Sequence, residues 1–397
     1  MKILVLNAGS SSIKYSLFAM SDRRVLLSGI LERIGEAMAV HRYRLRDDEP
    51  VSVEMRLTNH QQALQTLFSG LAASDTVGNG DLACIGHRVV HGGELFHQPA
   101  LITSEVINQI AGMIPLAPLH NPANLLGIEE SLRLMGNVPQ VAVFDTAFHQ
   151  SLPDYAYRYP LPASLYTDQG VRRYGFHGTS HGYVAKQAAE FLGQPLRELN
   201  LITLHLGNGA SATAIEKGRS VDTSMGMTPL EGLMMGTRCG DIDPALHFYL
   251  SRNLGLPLEA IETLLNKDSG CKGVCGENDM RGIHALADAG DQSASLALSM
   301  YAYRIKKYIG AYFAVLGRVD AVVFTGGIGE NDTRLRQQCC DGLSALGIVI
   351  DPRQNRAPAP PCAAIHADTS TVKILVIHTQ EELEIAIQAE TCLTALR

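Results

Sequence analysis

Two arginines stand in glycine-rich surroundings. The string H-R-V-V-H-G-G, residues 87–93, sets Arg88 beside a glycine pair, and M-G-T-R-C-G-D, residues 235–241, sets Arg238 among glycines. A tight glycine turn can aim a guanidinium rigidly, and its planar fork matches a carboxylate or a phosphate through two parallel hydrogen bonds. A lone arginine more commonly ends in a surface ion pair, so both readings stand for each string. Asp145 closes the apolar run of V-A-V-F-D-T-A-F-H. An acid at the carboxyl end of a strand suits a ligand cleft, or else caps a turn. In G-F-H-G-T-S-H, residues 175–181, Thr179 or Ser180 is the expected cap of the helix that follows. His177 then stands just before a helix N-terminus, where anions are favoured; a core or capping histidine is the other reading. No Glu completes an H-E-x-x-H pattern, which argues against a zinc protease.

Three glycine-rich turns can hold anions. The first, N-A-G-S-S-S-I-K, follows an apolar strand; its backbone N–H groups and hydroxyls can approach a phosphate, with Lys14 reaching it as a point charge. A second strand follows, not a helix, so this is no P-loop, and an ordinary Ser-rich hairpin has the same grammar. The segment L-I-T-L-H-L-G-N-G-A-S-A-T-A-I, residues 201–215, repeats the arrangement, with Asn208 in its turn. The third turn, G-G-I-G-E-N, follows the strand A-V-V-F and precedes a helix expected near Asp332. Strand, glycine turn and helix start make a phosphate seat or a plain capped turn. Near the end, T-Q-E-E-L-E-I-A fits a capping box of Thr379 and Glu382. Glu381 is then left for Mg2+, held directly or through water, or for helix-dipole compensation.

The elements that must position these residues alternate strand-length apolar runs with helical periodicity, which argues an α/β fold. The two hairpins about half a chain apart point to two related domains facing a cleft, with the boundary near residue 150, where S-L-P-D-Y-A-Y-R-Y-P-L-P begins. Residues 352–361, ending A-P-A-P-P, read as an exposed loop. A length of 397 residues suits two or three domains. With 46% hydrophobic and 18% charged residues the chain is globular, and a net charge of −7 argues against general binding to nucleic acid or acidic membranes. The apolar start is too short for a signal core and no run reaches membrane length, so a cytoplasmic protein is expected. The eight cysteines, including Cys271 and Cys275, read as free thiols.

Taken in order, these strings resemble one family, the acetokinase family of short-chain carboxylate kinases. The resemblance is carried by N-A-G-S-S-S-I-K, G-H-R-V-V-H-G-G, A-P-L-H-N-P-A-N, V-A-V-F-D-T-A-F-H-Q, R-R-Y-G-F-H-G-T-S-H, L-H-L-G-N-G-A-S, D-T-S-M-G-M-T-P-L-E-G-L-M-M-G-T-R, F-T-G-G-I-G-E-N and E-E-L, from residue 3 to about 385. It implies two ribonuclease-H-like domains of the actin, Hsp70 and sugar-kinase superfold with ATP in the interdomain cleft, and a homodimer. It places an N-terminal domain at residues 1–147 plus 382–397 and a nucleotide-binding and dimerisation domain at 148–381. The implied reaction is reversible, Mg2+-dependent transfer from ATP to acetate by direct in-line displacement, with Mn2+ as a substitute metal.

By the same resemblance, Asn7 and Glu381 match magnesium-associated residues, and Lys14 a nucleotide-phosphate contact. His205, Leu206, Gly207, Asn208 and Gly209, with Gly327, Ile328, Gly329, Glu330 and Asn331, match ATP-binding loops. Asp279, Met280 and Arg281 match the adenosine contact, although Met280 stands where the family often has an aromatic, and C-K-G-V-C-G-E-N-D departs from its usual Ser/Gly-rich form. Arg88 and Arg238 match the substrate and transition-state arginines, His177 a transition-state stabiliser and Asp145 the catalytic aspartate. Val90, Leu119, Phe176 and Pro229 match the small acyl pocket. One methylene in such a pocket discriminates only about 10–200-fold, so the sequence does not separate acetate from propionate; acetate is ranked first, propionate second and butyrate third. A carboxylate acceptor with a pKa of about 4 is already ionised at neutral pH. Asp145 is therefore read as orienting an arginine or the metal shell, with proton transfer as the competing role. The rivals from other classes are a sugar kinase and a non-enzymatic, nucleotide-gated protein of the actin and Hsp70 kind.

Overall fold

The apolar run K-I-L-V-L-N-A forms β1 (Lys2–Ala8), and S-I-K-Y-S-L-F-A forms β2 (Ser12–Ala19), antiparallel to it with Asn7 opposite Lys14. Ile13, Tyr15 and Leu17 are buried while Lys14 is exposed, as strand alternation requires. This computed structural model describes residues 1–46, 48–73 and 82–395. The chain divides into two units, Met1–Ala147 with Gln380–Arg397, and Phe148–Thr379.

In the first unit the hairpin continues through β3 (Arg24–Glu32), β4 (Ala39–Leu45) and β5 (Val51–Met55). On the other side of β1 lie β6 (Leu82–Val89), β8 (Gln140–Phe144) and the short edge β7 (Ala100–Leu101), giving the order β5-β4-β3-β2-β1-β6-β8-β7. β1, β6 and β8 are mutually parallel and bring Asn7, Arg88 and Asp145 to one carboxyl edge. That is the edge at which open α/β sheets bind ligands. Leu64 and Leu67 of the helix His60–Ala73 pack on Leu4, Leu6 and Tyr15, and Phe96 stacks on Phe144 with centroids 4.1 Å apart. The helix Glu381–Ala395 lies against β6, where Gly86 makes room: a Cβ there would stand 3.1 Å from Ile385 Cγ2.

The second unit repeats the plan. Antiparallel β9 (Asn200–Leu206) and β10 (Ala210–Glu216) extend to β11 (Arg219–Thr223). β12 (Ala321–Thr325) and β14 (Lys373–Ile377) run parallel to β9, and β13 (Cys362–Ala364) closes the order β11-β10-β9-β12-β14-β13. The run β3-β2-β1-β6-β8 of the first sheet thus has its counterpart in β11-β10-β9-β12-β14, and the similarity of the two hairpins reflects this shared topology.

Several local expectations are corrected. The third glycine turn is itself helical: the helix Gly326–Asn331 begins directly after β12, and a second, Thr333–Cys340, follows Asp332. Gly326 turns the chain at φ 78° with a Cβ position 2.7 Å from the Leu206 carbonyl oxygen, a site open only to glycine. Asp351 caps a helix Pro352–Arg356 in the first half of the expected loop, because its carboxylate accepts from the Arg353 N–H, while residues 357–361 are irregular and mostly exposed as expected. The helix Gly178–Leu192 starts one residue after His177, ahead of both expected caps. The Thr379–Glu382 capping box is not made: the Thr379 hydroxyl bonds Ser180, and Glu382 pairs with Lys14. All eight cysteines are free thiols. Among the described residues no helix is long and apolar enough to cross a membrane.

Candidate active site

In the first unit Arg88 leaves the end of β6 and reaches Asp145 just past β8. Its Nε donates to Asp145 Oδ1 and Oδ2 at 3.1 and 3.0 Å and its Nη2 to Oδ2 at 2.6 Å. The Asp145 side chain is 1% exposed, whereas that of Arg88 is 22% exposed. Burial alone would lower the Arg88 pKa, but Asp145, with Glu381 and Glu382 behind it, moves it above its ordinary value. Asn7 Oδ1 lies 3.5 Å from Arg88 Nη1. Asn7 and Glu381 therefore offer hard oxygens near this guanidinium, while both oxygens of Asp145 are taken by Arg88. Among the described residues no cluster of three or more His, Cys, Asp or Glu could hold a metal by itself. That donor set fits Mg2+, which keeps waters and takes one or two protein oxygens beside substrate phosphates. Lys14 is paired with Glu382. Val90 is buried and Leu119 is 56% exposed.

The loop after β6 is held by residues that the sequence reading gave no role. Asn124 accepts from the Val90 N–H at 3.0 Å and donates to the Ala8 carbonyl at 2.7 Å. Asn121 accepts from the His91 N–H, and Thr146 Oγ1 from the Gly92 N–H. Asn124 thereby ties the ends of β1 and β6 together, and Asn121 holds His91. In the sequence they stand three apart, on one helix face, within the string A-P-L-H-N-P-A-N, where neither amide was given a role.

In the second unit, Gly209 marks a meeting point. A Cβ on it would stand 3.6 Å from Arg238 Nη1, from Nη2 and from His177 Cε1. Arg238 donates to the Pro229 carbonyl at 2.9 Å and has no carboxylate partner among the described residues. Burial lowers its pKa. His177 holds a left-handed backbone at φ 56° ahead of its helix, and its ring lies 4.3 Å from that of His205. His177 Nδ1 is bonded to Ser211 Oγ at 2.9 Å, and His205 Nδ1 to Ser180 Oγ at 2.8 Å. Phe176 is buried, and its carbonyl accepts from His149 Nε2 at 2.9 Å.

A cavity of about 680 Å3 opens beside this group, lined by Asn208, Asp279, Met280, Arg281, His284, Gly327, Ile328 and Asn331 among others. The remaining loop residues do not line it. Leu206 and Gly329 are buried, Gly207 donates to Gly209 across the turn, and Glu330 accepts from the Gly326 and Thr379 N–H groups, each at 3.0 Å. Asp279 caps the helix Met280–Asp288; hydrogen bonds from Arg281 bring its pKa down to about 2. Beneath the loop, the fully buried Arg336 donates to the Gly329 and Glu330 carbonyls at 2.8 and 2.9 Å and to both oxygens of Asn355 at 2.7 and 2.8 Å. Its place in the sequence, within T-R-L-R-Q-Q, resembles an ordinary solvated helix face and carried no signal.

The acetokinase family model matches residues 2–387. An acetate kinase of Syntrophobacter fumaroxidans is 55% identical over 394 residues, covering 98% of this chain and 96% of that protein. One from a Sulfurovum species is 56% identical over 400 residues, covering 100% of each. The crystal structure of Porphyromonas gingivalis acetate kinase matches with TM-score 0.93 at 44% identity, over 99% of both chains. That of a propionate kinase from Francisella tularensis matches with TM-score 0.94 at 41% identity, over 98% of this chain and 99% of the other. The two-sheet architecture is that of the actin, Hsp70 and sugar-kinase superfold. On this match across nearly its whole length, the chain belongs to the acetokinase family.

Proposed function

We propose that this enzyme transfers the terminal phosphoryl group of ATP to acetate, reversibly, giving acetyl phosphate and ADP. The observation that carries the reading is the convergence of Arg238, His177 and Gly209, with Arg238 lacking a carboxylate partner among the described residues. A cation left unneutralised by the protein is suited to an anion that arrives with the substrate. Phosphoryl transfer asks for this more than for covalent help, because its transition state spreads charge over the equatorial oxygens. Arg238 and His177 donate to those oxygens. The cavity lined by Asn208, Asp279, Met280, Arg281, Gly327, Ile328 and Asn331 takes the nucleotide.

Arg88 receives the acceptor carboxylate. Asp145 acts as the group that orients Arg88, for which the three hydrogen bonds between them are the support. Asn7 and Glu381 hold Mg2+, which when bound neutralises the nucleotide phosphates. By the family resemblance, Val90, Leu119, Phe176 and Pro229 are assigned to the acyl site, and acetate is ranked above propionate and butyrate. A second copy of the chain covers the apolar side chains of Phe248, Tyr249, Leu254 and Leu258, which are 57–72% exposed in the single chain. An ATP-dependent reaction suits a cytoplasmic location.

The test is direct. Purified protein with ATP, Mg2+ and acetate should yield a product trapped by hydroxylamine as the hydroxamate, and kcat/KM should fall from acetate to propionate to butyrate. ATP turnover without a trappable acyl phosphate, or turnover of glycerol or hexose, would overturn the reading.

A further inference from the structure

The second unit contains a buried chain of hydrogen bonds behind His177. It runs from Thr203 on β9 to His181 in the first turn of the helix Gly178–Leu192, to Ser211 on β10, and ends at His177 Nδ1. The successive distances are 2.7 Å from Thr203 Oγ1 to His181 Nδ1, 2.8 Å from His181 Nε2 to Ser211 Oγ, and 2.9 Å from Ser211 Oγ to His177 Nδ1. Thr203, His181 and Ser211 are each 0% exposed.

The proton count along this chain runs in one direction. Among the described residues the Thr203 hydroxyl meets one polar partner, His181 Nδ1. An O–H buried without an acceptor is costly, while an unused lone pair is tolerated, so Thr203 donates. Burial, and then the neighbouring His149 and His205, push the His181 pKa well below its ordinary value, so its ring is neutral. With Nδ1 accepting, the single ring proton of His181 sits on Nε2 and is donated to Ser211 Oγ. Ser211 accepts there and spends its one proton on its other partner, His177 Nδ1. A neutral His177 that accepts at Nδ1 carries its own proton on Nε2.

We infer that Thr203, His181 and Ser211 are positioning residues, a one-way relay that holds the neutral His177 ring in its Nε2–H form so that it donates to the transferring phosphoryl group without a positive charge. The inference deepens the proposed phosphoryl transfer and rests on it for the acceptor of that last hydrogen bond. The surroundings explain the value of a neutral donor. Among the groups facing His177 are the Arg238 guanidinium across Gly209, the His205 ring at 4.3 Å and, beyond Ser211, His181 with His149 behind it. An imidazolium among these would be repelled by Arg238; a neutral ring locked as a donor is not. A lone imidazole, by contrast, has two neutral forms, and in one of them Nε2 is an acceptor that would repel a phosphoryl oxygen.

The relay is tested in the full-length protein by nitrogen NMR of the histidine rings, with the His177 signals assigned from their loss in His177→Asn. Above pH 7 the wild-type ring should be protonated on Nε2 and bare on Nδ1, and Ser211→Ala should mix the two forms. A wild-type ring protonated on Nδ1, or a form unchanged in Ser211→Ala, would overturn the inference. Kinetics give a second readout. In Ser211→Ala and Thr203→Val, kcat should fall about five- to tenfold while the KM values for ATP and acetate stay within about twofold, because the hydrogen bond that is weakened is the one to the transferring group. Thr203→Ser, which keeps the hydroxyl, should restore the wild-type kcat. A rise in both KM values equal to the loss of kcat, or no rescue by Thr203→Ser, would mean a merely structural role and would also overturn it. The ring-nitrogen result is read on resting protein, whereas hydroxamate formation decides the phosphoryl transfer, so each can fail without the other.

Discussion

Arg88 grips Asp145 through three hydrogen bonds, two from Nε at 3.1 and 3.0 Å and one from Nη2 at 2.6 Å, with the carboxylate almost wholly buried and the guanidinium partly open. The pairing leaves Nη1 as the end of Arg88 turned toward Asn7. An acid used in this way orients a cation, and a proton transfer would have to break the pairing first.

Asp145→Asn should therefore raise the KM for acetate and lower kcat/KM about 10²-fold, because Arg88 loses both its fixed direction and its buried counter-charge. The pH–rate profile should keep the shape it has in wild type. Selective disappearance of a basic-limb ionisation in the variant would instead assign Asp145 to proton transfer.

Arg238 is in the opposite situation, partly buried with no carboxylate partner among the described residues. Burying such a charge opposes folding, so Arg238→Met, which keeps the volume of the stem, should leave the urea midpoint unchanged or raise stability by about 1 kcal/mol. The same change should lower kcat about 10²–10³-fold, the usual cost of losing one transition-state donor. Urea titration and steady-state kinetics on the same preparation check both halves; a large loss of stability would mean that Arg238 serves the fold.

Acid should weaken the protein before its carboxylates titrate. Burial pushes the His87 pKa down to about 4, against a hydrogen bond to Gln140, and pushes His181 well below its ordinary value. For a base whose pKa is lowered by folding, the unfolded chain takes up the proton first, so stability falls as pH falls from about 6.5 toward 4 and is unaffected above that range. The His87 displacement from 6.5 to about 4 is worth on the order of 3 kcal/mol. Urea midpoints should drop across this window, and His87→Asn should show a shallower drop than wild type. An identical slope would remove His87 from the account.

Arg336 holds the loop at Gly329 and Glu330 from below with two hydrogen bonds and is anchored to Asn355 by two more, all four under 3.0 Å. A lysine cannot meet four acceptors spread around a planar fork. Arg336→Lys should cost about 2–4 kcal/mol in urea unfolding and raise the KM for ATP about five- to tenfold, leaving the KM for acetate within about twofold. An unchanged KM for ATP would show that the loop keeps its shape without this support.

What the chain itself determined was local and chemical. Strand alternation in residues 12–19, the glycine turn at 207–209, and the two arginines among glycines were legible because their grammar lies within a few residues. The doubling of the hairpin was legible for the same reason. Tertiary structure decided which partner each group received. Glu382, free to cap a helix by its spacing, was taken by Lys14, and Thr379 was taken by Ser180. Arg336 had no partner in its own string; Asn355, 19 residues on, supplies one. The His181 ring, paired with Ser211 across 30 positions of sequence, had no visible partner in its own string. Hydrogen bonds and ion pairs form wherever folding brings donor and acceptor together. Residue type and spacing can therefore announce a group able to do chemistry, while its charge state, direction and proton are settled by neighbours from distant parts of the chain.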